Sequence, residues 1–123
     1  MSSRPIFSPY KVITSGDMTF TVTSDVTIIQ NLSQVGYDIS WVGTPTGAFS
    51  VQISNTYSQN SDGTVKNPGN WTSLTLSTTP TASGSPGNGY IDIDAISAYA
   101  IRLVYTPSSG SGTLQATICG KVS

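Results

Sequence analysis

Apolar and polar residues alternate with a period of two through most of this chain. Val35, Tyr37, Ile39 and Trp41 fall on one parity, with Asp38 and Ser40 on the other. Phe49, Val51 and Ile53 alternate in the same way with Ser50, Gln52 and Ser54. Tyr99, Ile101, Leu103 and Tyr105 form a third set, with Arg102 on the opposite face. Leu114, Ala116 and Ile118 form a fourth, set against Gln115, Thr117 and Cys119. Such runs are strands that bury one face and wet the other. Weaker alternation marks residues 10–14, 18–23, 26–30, 71–76 and 90–94. No apolar set recurs at i, i+3 and i+4, so no helix is predicted. Nine short strands with turn residues between them predict an all-β fold, an antiparallel β-sandwich of eight or nine strands, jelly-roll-like.

The connections are uneven. Gly43, Pro45 and Gly47 predict a short hairpin turn over 43–47, and Pro107, Gly110 and Gly112 a looser one over 106–112. Two connections are long, 55–70 and 77–88, and in an up-and-down arrangement they leave opposite ends of the sheet. Loops of that length in a small domain usually carry function or are ordered by a partner. Met1–Pro9, with prolines at 5 and 9, reads as an extended arm that docks on a neighbour, and 10–123 as a single sandwich domain.

Composition sharpens this picture. Charged residues make up 9% of the 123, against about 25% in an average soluble protein. Serine and threonine supply 37 residues, all six acidic residues are Asp, and Glu and His are absent. Hydroxyls and amides suit strands and turns, whereas the residues that favour helix surfaces are scarce. Such a surface stays wet without repelling its own copies. Eleven Ile and nine Val distinguish the chain from a disordered one. The net charge is −1, and the five basic residues (Arg4, Lys11, Lys66, Arg102, Lys121) form no stripe, so no nucleic-acid partner is expected. No run approaches the roughly 18 apolar residues of a membrane helix, and no signal peptide is read, so synthesis in the cytoplasm is expected. A single cysteine, Cys119, excludes an internal disulfide.

Catalytic chemistry finds little footing. Without His there is no Ser–His–Asp or Cys–His arrangement. Cys119 has non-core parity and no evident activating base. Asp92 and Asp94 share a strand face roughly 6–7 Å apart, a spacing between the two glycosidase geometries, but a solvated or partner-facing strand explains them more simply. No catalytic residue, cofactor site or metal site is assigned. Asn60 and Asp62, with Asn55, could offer oxygens to calcium, and Gly63 allows the turn, yet the ligand count falls short of an EF-hand loop. An Asn/Asp/Gly turn is the plainer reading. Trp41 follows core parity. Tyr57, inside the first long loop, and Trp71, at a strand entrance beside it, are the aromatic candidates for contacts. The binding-loop candidates are therefore Tyr57, Asn60, Asp62 and Trp71.

Several segments carry a resemblance. Asn70-Trp71-Thr72-Ser73-Leu74, Pro80-Thr81-Ala82-Ser83-Gly84, Tyr90-Ile91-Asp92-Ile93 and the run from Ile101 to Thr106 occur in that order. Ser109-Gly110-Ser111-Gly112-Thr113-Leu114 follows them, and Trp41-Val42-Gly43-Thr44 and Gly47-Ala48-Phe49-Ser50-Val51-Gln52 precede them. Across 30–122 the chain resembles small β-rich virion structural proteins encoded in the structural gene clusters of tailed bacteriophages. The resemblance implies a non-enzymatic virion component made in the bacterial host cytoplasm. Three lysines are too few to guard the edges of so many strands, so edge pairing is expected. The expected role is a capsid decoration or cement subunit that self-associates, a trimer being plausible, and binds major capsid or other virion proteins. The alternative is a receptor- or glycan-binding tip domain of a tail fibre or spike.

Overall fold

Strand parity divides the chain between two facing sheets. The computed structural model describes residues 6–29, 34–76, 79–94 and 98–121. The strands are β1 (Ile6–Asp17), β2 (Val22–Thr23), β3 (Thr27–Ile28), β4 (Gln34–Gly43), β5 (Thr46–Ser54) and β6 (Ser58–Gln59). They continue as β7 (Val65–Asn67), β8 (Thr72–Ser73), β9 (Thr81–Ser83), β10 (Gly87–Asp94), β11 (Ala100–Ser109) and β12 (Gly112–Lys121). One sheet has the order β1-β12-β4-β10, the other β2-β11-β5-β8, with β3 also on β11 and β9 also on β5. β6 and β7 form a small hairpin of their own. Every pairing is antiparallel.

Two short pairs of strands each act as one interrupted strand. β2 and β3 lie in succession along β11, and β8 and β9 along β5. Buried Ser24 bridges the first interruption: its N–H donates to Leu103 O, and its Oγ accepts the Leu103 N–H, both at 2.8 Å. The result is an antiparallel β-sandwich with eight strand positions, and each of the nine runs read from the sequence overlaps a strand. Gln30, at the end of one run, lies outside the described residues. Pairing is nested: β1 with β12, β2/β3 with β11, β4 with β10, and β5 with β8/β9. The chain is folded back on itself as one long hairpin and then rolled into two layers.

The core is the alternating set. Val35, Tyr37, Ile39 and Trp41 of β4 meet Phe49 and Val51 of β5 and Ile101, Leu103 and Tyr105 of β11. Leu114, Ala116 and Ile118 complete it from β12. An aromatic series joins the layers: Trp41 to Phe49 at 5.4 Å between ring centroids, and Phe49 to Tyr105 at 4.9 Å. Tilted ring pairs at this separation add about 0.5–1.5 kcal/mol beyond their buried area. The Trp41 indole N–H is satisfied by Ser85 O at 2.9 Å. Burial pushes the phenol pKa values of Tyr37 and Tyr105 up, because desolvation disfavours the anion.

Four expectations need revision. The turns at 43–47 and 106–112 are not hairpins. β4 and β5 belong to different sheets, as do β11 and β12, so both turns are corners that carry the chain across the sandwich. The segment expected as an arm at 1–9 is in part strand, since Ile6 pairs with Lys121 and Phe7 with Gly120, while 1–5 lie outside the described residues. In β1, moreover, three register shifts break the alternation, so Val12 and Ile13 are both buried. The two connections expected as long loops are partly strand, 55–70 holding β6 and β7 and 77–88 holding β9 and the start of β10, and they lie at opposite ends of β5. Gly84 donates to Pro45 O at one corner, and Asn55 Oδ1 accepts the Tyr99 N–H at the other end.

The corners pack against each other at Gly43 (φ +94°) and Gly110 (φ +79°). A Cβ on Gly110 would lie 2.0 Å from Thr44 O, whereas one on Gly63 (φ +90°) would meet nothing within 4 Å. Gly63→Ala is therefore expected to cost about 1–2 kcal/mol, the left-handed strain alone. Gly110→Ala adds a backbone clash and is expected to cost at least about 3 kcal/mol. Denaturant melts of the two variants check this, and equal costs would contradict the nested-corner geometry.

Candidate functional site

On the outer face of the second sheet, register places Arg102 of β11 beside Gln52 of β5, and Gln52 beside Ser73 of β8. Arg102 and Gln52 have the parity opposite to the core residues Leu103 and Val51. The Arg102 Nε–H donates to Gln52 Oε1 at 2.8 Å, and the guanidinium carbon lies 4.2 Å from the centroid of a Trp71 ring. Stacking on an indole face suits a guanidinium, which is planar and weakly hydrated. Tyr57 packs against Trp71 from elsewhere, with centroids 5.7 Å apart and rings tilted by 54°.

The loop after β5 sets this arrangement. Ser54 is buried, and its Oγ accepts the N–H groups of Thr56 (3.2 Å) and Tyr57 (3.1 Å). That local turn directs Tyr57 inward. Thr56 Oγ1 then accepts the Asn70 N–H at 2.7 Å, and Asn67 Oδ1 the Gly69 N–H at 2.9 Å. The Trp71 indole N–H donates to Pro68 O at 2.8 Å. Both ends of the loop are therefore tied to each other and to the indole.

Arg102 is half-buried, and desolvation pushes its pKa down from the ordinary value. A guanidinium nonetheless stays charged in a protein. Its partners among the described residues are an uncharged amide and an aromatic ring, and its terminal nitrogens have no hydrogen-bond partner there. The cation is oriented but not neutralised.

The four residues read from the sequence separate into two places. Trp71 and Tyr57 come together, but Tyr57 is buried at 6% exposure, so the exposed contact expected of it is corrected: the Ser54 turn folds it under the loop. Its hydroxyl accepts a hydrogen bond from Gln59 Nε2 at 2.9 Å. Asn60 and Asp62 are exposed in the β6–β7 turn, away from that aromatic pair in the hydrogen-bond scheme. Asn60 Nδ2 donates to Thr64 Oγ1 at 3.0 Å, and Asp62 Oδ1 accepts from the Thr64 N–H (3.0 Å) and hydroxyl (2.6 Å). Asn55 spends its Oδ1 on the Tyr99 N–H. Among the described residues, no group of three or more His, Cys, Asp or Glu side chains is placed to hold a metal ion. Sequence reasoning missed Arg102 and Gln52 as site residues. The available signal was their shared non-core parity in two strongly alternating strands; which residue stands beside which was not readable.

The Thr64 hydrogen bonds hold the Asp62 carboxyl pKa below the ordinary value of 3.8. A depressed pKa contributes turn stability above the ordinary value that is lost as pH falls through the folded one. The Thr64 amide signal is therefore expected to stay constant from neutral pH to below pH 3.8 and move only with Asp62 protonation. Asp62→Ala is expected to give the protonated-like signal at every pH. Calcium-induced movement at neutral pH would instead support a metal loop.

No family model matches the chain, and no curated protein matches its sequence. Solved structures do share its fold. The SPBc2 prophage-derived protein YomS is similar over 97% of this chain and 96% of that one, with a TM-score of 0.53 and 12% identity. A chain in the structure of infectious bursal disease virus, Gx strain, is similar over 98% of this chain and 32% of its own length, with a TM-score of 0.50 and 9% identity. At these identities the likeness concerns the fold, an all-β antiparallel sandwich.

Proposed function

We propose that this chain is a non-enzymatic structural protein of a bacteriophage virion, a capsid decoration subunit that associates with its own copies and binds neighbouring capsid proteins. The observation that carries the reading is the end-to-end likeness to a prophage-derived protein of the same extent, 97% of one chain on 96% of the other. The second likeness, to part of a chain in a virus structure, points the same way. Nested pairing of eight strand positions supports a jelly-roll reading of the sandwich, an architecture used by viral capsid and lectin domains. Folds host many functions, so the surface must support the role as well.

Two surface features support it. β10 pairs with β4 through eight residues without a register shift, and no described strand lies on its other side. It carries exposed Tyr90 and Asp92, and an uninterrupted edge is a template for another strand. The opposite edge, β1, is bent by three bulges, so pairing there is discouraged. The surface is otherwise rich in hydroxyls and poor in charge, which favours contacts insensitive to salt. Decoration would act by adding buried area across capsid subunits, about 1,000 Å² or more for a specific contact. The site of action would be the virion, after synthesis in the host cytoplasm.

Sedimentation is expected to give a defined oligomer, and the protein is expected to bind particles that lack it. Raising salt from roughly 0.05 to 1 M, which shortens the screening length to about 3 Å, is expected to leave particle binding largely intact. A monomer at every concentration, together with no particle binding, would overturn the proposal.

A further inference from the structure

We propose that Arg102, Gln52 and Trp71 form a binding site for an acidic saccharide, with the guanidinium taking the sugar carboxylate. The site belongs to the isolated chain and does not depend on the virion role. It stands whether the protein sits on a capsid or elsewhere.

A partly buried Arg keeps its terminal N–H groups in water until an opposite charge displaces that water. Arg102 lacks such a partner among the described residues, yet its geometry is fixed from two sides, by the Gln52 amide through Nε and by the Trp71 ring. A guanidinium restrained in this way presents its remaining N–H groups as a fork for two parallel bonds to a carboxylate. Among the described residues no carboxylate forms an ion pair with Arg102. Asp17 and Asp62 accept hydrogen bonds from Thr19 and Thr64 in their own turns. Asp38, Asp92 and Asp94 belong to the other sheet, and Asp25 lies between β2 and β3 alongside β11 without an ion pair to Arg102 among the described residues.

The surroundings favour a sugar over a peptide. Ser50 shares the outer parity of Gln52, and Ser73 is its register neighbour on β8, so the sheet surface beside Arg102 offers hydroxyls and an amide. A sugar acid brings hydroxyls that match the first groups and a carboxylate that matches the guanidinium held on the indole. Hydrogen bonds already fix the loop that carries Trp71, so little ordering cost remains at binding.

The two indoles allow a direct test. Trp71 donates to Pro68 and Trp41 to Ser85, so their N–H resonances report the site and the buried core separately. Titrating isotope-labelled protein with a glucuronic-acid oligosaccharide is expected to shift the Trp71 signal and leave that of Trp41. The same oligosaccharide with its carboxyls reduced to alcohols is expected to bind at least about tenfold more weakly, as the charge-assisted fork is lost. Arg102→Lys, which keeps the charge and loses the fork, is expected to weaken binding similarly, with an unchanged Trp41 signal certifying the fold. If that variant misfolds, the native and reduced sugars on the unaltered protein still decide the matter. An unmoved Trp71 signal would overturn the proposal. So would equal binding of the reduced sugar, or an aspartate-rich peptide binding at least as tightly as the saccharide.

Discussion

The chain crosses between the sheets four times at one end of the sandwich, and the β4–β5 and β11–β12 crossings must fit against each other. At this end Thr44 donates to Ser111 O, Met18 to Gly112 O and Gly84 to Pro45 O, at 2.7–3.0 Å. The contact couples the layers. Gly43 faces Gly112 in one sheet while Thr46 faces Ser109 in the other, so the β4–β12 and β5–β11 registers are set by a single junction. A slip of one residue in either sheet would turn its buried residues outward. The Trp41–Phe49–Tyr105 series stands next to that junction and fills the space between the layers there. Nested pairing of the remaining strands follows once these four are placed.

This dependence explains what could be read from the sequence. β4, β5, β11 and β12 alternate cleanly because each buries one face along its length, so their existence and their core residues were legible. A two-residue strand such as β2 leaves little pattern, and the bulges of β1 put consecutive residues inside. Gly- and Pro-rich turns announce a reversal without saying whether the next strand joins the same sheet. The corners were therefore legible as turns and illegible as crossings. Tyr57 illustrates a related difficulty. A tyrosine in a long loop suggests exposure, but the Ser54 hydroxyl turns the backbone and buries it, and nothing in local composition signals that contact. Arg102 and Gln52 meet only because of register, which the crossings decide.

The outer surface divides along similar lines. One sheet ends in the regular, exposed edge of β10, suited to pairing with another chain. The other carries an oriented cation with an indole against it and hydroxyls beside it. The two features lie on different sheets, so assembly through the first need not cover the second. Low net charge makes both more conspicuous, since few other ions compete for a partner at the surface.

Native-state hydrogen exchange at the crossings tests the central claim most directly. If the junction holds the layers in register, the Thr44 and Met18 amides exchange only through global unfolding. Their protection and denaturant dependence then match those of core amides in β4 and β12. Exchange of Thr44 and Met18 through a local opening, at a free energy well below that of those core amides, would contradict the claim and leave register to the strands themselves.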